Sequence, residues 1–446
     1  MQRFITKELL KWKQNPRRKP LILQGARQVG KTFIVKEFGQ KHYDNYVYFN
    51  FDENKQVASL FNTTKDPERI LEQLSIAAKQ KITPGKTLIF FDEIQEYDEA
   101  LNTLKYFQEK APDQHVIAAG SLLGIKLSRT SFPVGKVNFL DLYPMSFPEF
   151  LLADGQNNLI QYLDSINSIE TIPEFFATQL TEKLKTYYLV GGMPEVVSSW
   201  VTHKDIDEVH QIQYEILRSY ERDFAKHTTA SEANKISLIW HSIPSQLARE
   251  NKKFIYQAIK EGARAREYEE ALNWLRDAGL IYKTMNVKAP RLPLGAYEDL
   301  SSFKIYLLDI GLLCYMSGID TNTILDDKQF FTEFKGALNE NFILQALTHD
   351  SYHPLFYYDF NRYSIDFMLQ YSGKIFPVEV KSSNRATHAS ITSYIANEAP
   401  ELAIRFSTNN LAHDGKILNI PLYLASHTEQ LINIAIESNP QNHSYQ

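Results

Sequence analysis

The fold is decided by one stretch of sequence, Pro20-Leu21-Ile22-Leu23-Gln24-Gly25-Ala26-Arg27-Gln28-Val29-Gly30-Lys31-Thr32. An apolar run leads into a glycine loop, and the residues that follow predict a helix. Gly25 and Gly30 allow the loop to turn tightly with its N–H groups inward, where they and the positive helix end can hold phosphate. Strand, loop and helix in this order predict a P-loop, with Gly25 to Thr32 binding a nucleotide. Lys31 would reach the β- and γ-phosphates, and the Thr32 hydroxyl would ligate Mg²⁺.

A second motif places two carboxylates at the end of an apolar run, Lys86-Thr87-Leu88-Ile89-Phe90-Phe91-Asp92-Glu93. In P-loop enzymes, a buried strand delivers an acid to the metal ion at its C-terminal tip. We predict that Asp92 is this metal partner and that Glu93, with Lys31, is catalytic and polarises the attacking water. Ser121 ends a third apolar run and is a candidate for contact with the γ-phosphate or the water, with a plain turn serine as the alternative. The implied ligands are ATP and Mg²⁺.

The bulk composition limits the classes of function. The net charge is −5, so the chain lacks the general basic character of most nucleic-acid-binding proteins. No stretch has enough consecutive apolar residues for a membrane span, and the first residues lack the apolar core of a signal peptide. The single cysteine, Cys314, excludes intramolecular disulfides. We therefore expect a cytoplasmic protein that does not associate with membranes.

Four segments differ in pattern along the chain. Residues 1–150 alternate strand and helix signals, which predicts an α/β domain with a parallel sheet and helices on both faces. Residues 151–230 predict a helical lid or linker, with a break at Gly191-Gly192-Met193-Pro194. Residues 231–310 predict a winged helix, and residues 311–446 predict a further α/β domain. In the first segment, we expect strands near Leu21, Tyr46–Phe51, Leu88–Asp92, Val116–Ala119 and Val137–Leu140.

The winged-helix prediction rests on three short helices followed by a strand. The third helix is expected at Arg266–Ala278, ended by Gly279, and the strand at Leu280–Lys283. Winged helices can read the major groove of DNA through this third helix. Here the helix mixes arginines with acidic residues, which is a poor match to a phosphate backbone. Contact with DNA and packing against protein both stay open.

A second set of charged residues follows in the C-terminal segment. Glu340 lies on a predicted helix, and Asp366 and Glu379 lie on neighbouring strands of a predicted hairpin. Period-two alternation puts Glu379 and Lys381 on the same face of their strand. Such a set can hold a divalent metal ion and activate water for phosphodiester cleavage, and it resembles the PD-(D/E)xK restriction-endonuclease-like core. The alternative is a related fold that has lost catalysis.

Taken together, the motifs resemble a family of bacterial and archaeal AAA-type, STAND-like ATPases whose C-terminal domain has a restriction-endonuclease-like core. The resemblance implies an ATP-binding core, a helical lid, a winged helix and a nuclease-like end. Many members have Gly-Arg where this chain has Gly135-Lys136, and Arg129 is the upstream residue that could substitute. The resemblance covers nearly all of the chain and is carried by Gly25–Thr32, Phe91-Asp92-Glu93-Ile94-Gln95, Gly120-Ser121, Leu142-Tyr143-Pro144-Met145-Ser146-Phe147, Gly191-Gly192-Met193-Pro194, Leu308-Asp309-Ile310-Gly311-Leu312, Glu340-Asn341-Phe342 and Glu379-Val380-Lys381.

Three functions follow from these features. The leading hypothesis is a Mg²⁺-dependent ATPase or a nucleotide-driven switch of the AAA/STAND type, with a protein partner that the sequence does not identify. The first alternative is an ATP-regulated protein that binds or cleaves DNA. The second alternative is an interaction scaffold with a degenerate nuclease core.

Overall fold

A computed structural model describes residues 1–121, 135–249, 252–319, 321–325, 332–350, 354–360, 363–381 and 389–437. The chain divides into two compact units. The first unit comprises residues 2–143 and 273–280, and the second comprises residues 144–272 and 281–446. Helix Ala265–Asp277 contributes residues to both. The four predicted segments do not coincide with these units and stay a prediction of domain organisation.

The first unit is built on a parallel sheet of five strands in the order β2-β3-β4-β1-β5. Every pairing in it is parallel, which confirms the α/β fold predicted for residues 1–150. The P-loop strand β1 is flanked by β4 and β5, and β3 lies between β2 and β4. The strands are β1 Leu21–Gln24, β2 Asn45–Asn50, β3 Thr87–Asp92, β4 His115–Ala119 and β5 Asn138–Asp141.

Helices cover this sheet because the strands are apolar on both faces. All six side chains of β3 and all five of β4 are buried, as expected for strands inside a parallel sheet. Phe91 and Phe51 stack in the core, where Phe61 and Phe107 also contact Phe91. The helices of this unit before residue 143 are Ile5–Gln14, Lys31–His42, Lys55–Ala58, Leu60–Thr63, Pro67–Ala78 and Asp98–Lys110.

Helices dominate the first part of the second unit, as predicted for residues 151–230. A capping box between Ser146 and Glu149 starts the helix Phe147–Ala153, so its first N–H groups are satisfied. Gly191 and Gly192 separate two later helices, as predicted. The helices before residue 250 are Phe147–Ala153, Asn157–Asp164, Glu174–Val190, Pro194–His203, Ile206–Lys226 and Ala230–Leu247.

The glycine break is a tight crossing of backbone and a buried acid. The N–H of Met145 donates to the carbonyl of Gly192 at 2.6 Å. A Cβ on Gly192 would lie 2.1 Å from the carbonyl oxygen of Met145, so no larger residue fits. Asp309 accepts hydrogen bonds from the N–H of Gly192 at 2.6 Å and of Leu312 at 2.9 Å. One fully buried carboxylate therefore fixes this loop and also caps the helix Ile310–Met316.

The second unit contains a mixed sheet of eight strands in the order β12-β13-β11-β10-β9-β8-β6-β7. The strands are β6 Ile281–Val287, β7 Glu298–Leu307, β8 Phe356–Phe360, β9 Tyr363–Tyr371, β10 Lys374–Val380, β11 Ala403–Ser407, β12 Ala412–Asp414 and β13 Ile417–Pro421. The helices packed with them are Ile310–Met316, Thr321–Leu325, Thr332–Asp350, Ala389–Glu398 and Thr428–Glu437.

The hairpin that suggested a winged helix belongs to this larger sheet. β6 pairs with β7 in the antiparallel sense and also with β8 in the parallel sense, through Met285 opposite Phe356. Tyr357 of β8 shares a 2.6 Å hydrogen bond with Ser302 of β7, which ties the hairpin to the C-terminal strands. The expected third helix and strand are present, at Ala265–Asp277 and in β6. A separate winged-helix domain is not confirmed, because its strands continue the sheet of the C-terminal segment.

Candidate nucleotide site and C-terminal charge cluster

The P-loop turns from β1 into the helix Lys31–His42 through left-handed backbone. Gly25, Gln28 and Gly30 have φ values of 145°, 67° and 95°. At Gly25 a Cβ would lie 2.1 Å from the carbonyl oxygen of Leu142, so close approach of backbone as well as conformation requires glycine there. Gly30 is the N-cap of the helix, so the helix begins at Lys31 with its N–H groups directed toward the loop. These features are what anion binding at a helix N-terminus requires.

Lys31 is folded back onto its own loop. Its Nζ donates to the carbonyl oxygens of Gly25 at 2.8 Å and Ala26 at 2.7 Å. The residue is only 7% exposed, and this burial lowers the pKa of Lys31 to about 8, although the charges of Glu93 and Asp92 act to raise it. The ammonium is thus held by weak partners in a desolvated position. Phosphate oxygens would be better partners for the same charge.

Asp92 meets the start of the P-loop helix as predicted. The Thr32 hydroxyl donates to Asp92 Oδ2 at 2.6 Å, and the Tyr48 hydroxyl donates to the same oxygen at 3.2 Å. Burial raises the pKa of the Asp92 carboxyl above its usual value, partly offset by the hydrogen bond from Thr32. The Thr32 hydroxyl and the Asp92 carboxylate are hard oxygen donors, and they fit the ligand preference of Mg²⁺.

Tyr48 is a site residue that our sequence reasoning missed. It lies on β2, which pairs with β3 in a register that places Tyr48 opposite Phe90 and Asn50 opposite Asp92. Burial and the neighbouring Asp92 charge raise the pKa of Tyr48 to about 12, so its hydroxyl stays a donor. Lys36 Nζ lies 3.5 Å from the centre of the tyrosine ring. The signal that could have found it is a polar tip on an otherwise apolar strand next to the acidic one.

Glu93 is held by two neutral donors. Gln95 Nε2 donates to Glu93 Oε2 at 2.5 Å, and the Ser121 hydroxyl donates to the same oxygen at 3.3 Å. Glu93 itself has a left-handed backbone with φ 50°, an uncommon conformation for a non-glycine residue. Ser121, predicted to touch phosphate or water, therefore contacts the predicted base. Gln95 was not predicted as a site residue, although its position two residues after Glu93 was the available signal.

A segment far along the chain completes the surroundings of the P-loop. Residues 273–280 belong to the first unit, and Gly279 ends the helix Ala265–Asp277 as predicted. The N–H groups of Gly279 and Leu280 donate to the carbonyls of Arg276 and Leu275, which closes the helix end. Gly279 has φ 72°, and a Cβ on it would lie 3.2 Å from the backbone nitrogen of Ala26. The Gly279 backbone thus packs directly on a P-loop amide.

The predicted nuclease-like residues are distributed over two neighbouring ion-pair groups in the second unit. In the first group, Lys252 Nζ contacts Glu340 Oε1, and the Tyr306 hydroxyl donates to Glu340 Oε2 at 3.2 Å. Burial raises the pKa of Glu340, but Lys252 and Lys304 outweigh it and hold that pKa below its usual value. Asp366 Oδ2 accepts the N–H of Val380 at 2.8 Å.

The second group surrounds Glu379. Lys381 Nζ lies 3.0 Å from Glu379 Oε1, which agrees with the predicted common face, and Arg405 Nε lies 3.7 Å from Oε2. Neither carboxylate oxygen accepts a well-aligned hydrogen bond within the described part of the chain, so these ion pairs are close in distance but poorly directed. Lys252, Lys304, Tyr306 and Arg405 were not predicted, because they reach the cluster from other strands and segments.

Among the described residues, no group of three or more histidine, cysteine, aspartate or glutamate side chains could hold a metal ion. The reason at this cluster is that lysine and arginine side chains lie against the carboxylates. The described ranges also contain no helix long and apolar enough to cross a membrane. Lys136, the departure from the resembling family, pairs with Glu109 at 3.0 Å, and Arg129 lies outside the described residues.

Three segments of the chain match protein families. Residues 17–151 match an AAA domain. Residues 181–323 and 335–423 match two domains of unknown function, DUF8612 and DUF4143. No curated protein matches the chain.

Solved structures with similar folds are distant in sequence. The Walker-type ATPase PABY2304 of Pyrococcus abyssi is 14% identical, with 70% of this chain and 94% of that chain covered and a TM-score of 0.45. The RuvB Holliday junction branch migration motor of Thermotoga maritima is 14% identical, with 64% and 90% covered and a TM-score of 0.29. Drosophila ORC bound to DNA is 14% identical, with 70% and 93% covered and a TM-score of 0.26.

The family match and the site geometry agree on the first unit. The parallel sheet, the P-loop and the contact between Thr32 and Asp92 all fall within residues 17–151. The C-terminal match is to a domain of unknown function, so a restriction-endonuclease-like core is not confirmed. The chain therefore contains an AAA-type domain of the nucleotide-binding P-loop ATPases.

Proposed function

We propose that the first unit binds Mg²⁺–ATP at Gly25 to Thr32 and hydrolyses it slowly, as a nucleotide-driven switch of the AAA/STAND type. The observation that carries the proposal is the 2.6 Å hydrogen bond between the Thr32 hydroxyl and Asp92 at the start of the P-loop helix. This geometry supports a metal position next to the phosphates, which the loop amides and Lys31 would hold.

Each side chain has a separate task in this reaction. Lys31 exchanges the carbonyls of Gly25 and Ala26 for the β- and γ-phosphate oxygens. Thr32 and Asp92 would hold Mg²⁺, which when bound neutralises charge on the phosphates. Glu93 accepts a proton from the attacking water, and for this its carboxylate must loosen from Gln95.

Thermal-shift titration with Mg²⁺–ATP tests the binding site. We expect Lys31→Ala to lose most of the nucleotide-induced rise in Tm, because the charge that holds the phosphates is gone. Lys41→Ala is the matched control, since Lys41 lies on the same helix, pairs with Glu37 at 2.7 Å and has a 64% exposed side chain. Equal stabilisation of Lys31→Ala and the wild type would place the nucleotide elsewhere.

A second candidate function is cleavage or binding of DNA by the C-terminal segment as a restriction-endonuclease-like domain. The observation that favours it is Lys381 at 3.0 Å from Glu379, the pair that the PD-(D/E)xK pattern puts on one strand face. Cleavage assays on several DNA forms with Mg²⁺ and Mn²⁺ test it, with Asp366→Asn as the inactive comparison. Absence of metal-dependent cleavage by the wild type would leave the segment as a scaffold for a protein partner.

A further inference from the structure

The carboxylates of Glu340 and Asp366 share a buried lysine that comes from outside the sheet. Lys252 lies between the helix Ala230–Leu247 and the turn Tyr256–Ala258, about ninety residues before Glu340 in the sequence. Its side chain is 15% exposed, against 3% for that of Glu340. Its backbone φ is 50°, a left-handed conformation that is uncommon for lysine. An unfavourable backbone and a buried charge together indicate that this contact is specifically maintained.

The charge of Lys252 is kept by its surroundings. Burial alone would lower the pKa of Lys252, but the charges of Glu340 and Asp366 and the hydrogen bond to Glu340 outweigh it and hold the pKa above the usual value. Lys252 is therefore a cation bound inside the protein. Lys304 is the other lysine near this carboxylate pair, but it belongs to strand β7, and its Nζ lies 4.8 Å from the centre of the Tyr357 ring.

A third carboxylate adjoins the pair. β9 and β10 are antiparallel with Phe367 opposite Val378, so the next pair along the ladder is Asp366 opposite Glu379. Directly opposed residues share one sheet face. The two buried oxygens of Glu379 have unused acceptor capacity in the described structure, and they mark a position that can accept a further cationic partner.

We propose that Lys252 is an intramolecular cation that occupies the Glu340–Asp366 carboxylate pair and excludes a divalent metal ion from it. Removing the ammonium leaves two buried carboxylates without compensation, a state that strongly favours uptake of another cation. Carboxylate oxygens are the ligands that Mg²⁺ and Mn²⁺ prefer. The closed state is maintained by a contact from a loop, so displacement of that loop converts an internal ion pair into a metal site. The proposal does not depend on ATP hydrolysis by the first unit.

Binding of Mn²⁺ to the full-length, nucleotide-free protein tests the proposal, with free Mn²⁺ measured by electron paramagnetic resonance. All proteins carry Asp92→Asn, which removes the carboxylate expected to hold metal at the nucleotide site. In this background we expect Lys252→Met to bind one further Mn²⁺, with affinity raised about tenfold or more. Adding Glu340→Gln should abolish the gain. Lys304→Met is the matched control and should show no gain, because Lys252 still occupies the pair.

Two results would overturn the proposal: Mn²⁺ binding by Lys252→Met that equals its parent, or an equal gain in Lys304→Met. A second measurement does not require a lysine variant to fold. Acetylation of lysines, followed by mass spectrometry, should modify Lys252 about tenfold more slowly than the exposed Lys41, and Glu340→Gln should remove that protection. Modification of Lys252 at the rate of Lys41 in the otherwise unchanged protein would also reject the proposal.

Discussion

Raising the pH above 8 is expected to weaken ATP binding at the P-loop, because Lys31 must be charged to hold the phosphates. In the nucleotide-free protein, burial lowers the pKa of Lys31 from 10.5 to about 8. The negative charge of bound phosphates raises the pKa of the lysine again. Nucleotide binding should therefore transfer a proton from the buffer to Lys31 whenever the pH lies above that of the free-protein transition.

The size of the effect follows from the shift in the Lys31 pKa. A change from 10.5 to about 8 is about 2.5 units, so the charged ammonium costs the nucleotide-free fold about 3 kcal/mol. Below pH 8 the lysine is already charged, and ATP affinity is independent of pH through this group. At pH 9 about one molecule in ten is charged, which lowers the affinity about tenfold, or by about 1.4 kcal/mol.

The sign for stability is opposite to that for binding. The folded-state pKa of Lys31 is below its unfolded-state value, so between about pH 8 and 10.5 the unfolded chain holds more protons. This group therefore makes the nucleotide-free fold more stable as the pH rises through that range. ATP binding and folding should respond to alkaline pH in opposite directions.

Isothermal titration calorimetry with Mg²⁺–ATP at about pH 7.5 and 9, in buffers of different ionisation enthalpy, measures both affinity and proton uptake. Lys41→Met, on the same helix, should behave as the wild type. Lys31→Arg should lose the pH dependence, because a guanidinium stays charged throughout. Equal wild-type affinity at both pH values, with no proton uptake, would refute the reasoning.

Three further predictions concern single residues. Glu93→Gln should bind ATP but hydrolyse it at least about a hundredfold more slowly, because an amide cannot accept the proton of water; normal turnover in a phosphate-release assay would remove Glu93 from the mechanism. Burial raises the pKa of Asp309 from 3.8 to about 6, so its contribution to stability is full below pH 3.8 and is lost as the pH rises to 6. Denaturant unfolding should show Asp309→Asn gaining about 3 kcal/mol relative to the wild type between those pH values, and a constant difference would contradict this. Gly192→Ala should lower the free energy of unfolding by about 3 kcal/mol through its clash with Met145, whereas Gly295→Ala, with its nearest atom 3.8 Å away, should be nearly neutral; similar losses in both would reject the packing argument.

Local sequence patterns predicted the first unit well. The P-loop and the acidic tip of β3 are short motifs whose chemistry depends on adjacent residues, and the five strands lie close to their predicted positions. Tyr48 and Gly279 could not be predicted in the same way. Tyr48 reaches Asp92 through strand pairing, and Gly279 reaches Ala26 from a distant helix end.

The C-terminal cluster shows the same limit more strongly. Alternation along one strand correctly put Glu379 beside Lys381. It carried no information about Lys252, because that residue lies on a loop and no period relates it to Glu340. The joining of β6 and β7 to β8 was also hidden, since a hairpin that forms its own small sheet and one that extends a larger sheet have the same local pattern.

The position of Gly279 against the P-loop has a consequence for biosynthesis. Translation delivers the P-loop early, but the helix end that packs on Ala26 belongs to residues 273–280. A nascent chain that has emerged only as far as residue 143 has all five strands of the first sheet and still lacks this neighbour. The nucleotide site therefore reaches its final surroundings late in translation, and a fragment ending near residue 150 is a poor substitute for the whole chain in any nucleotide-binding measurement.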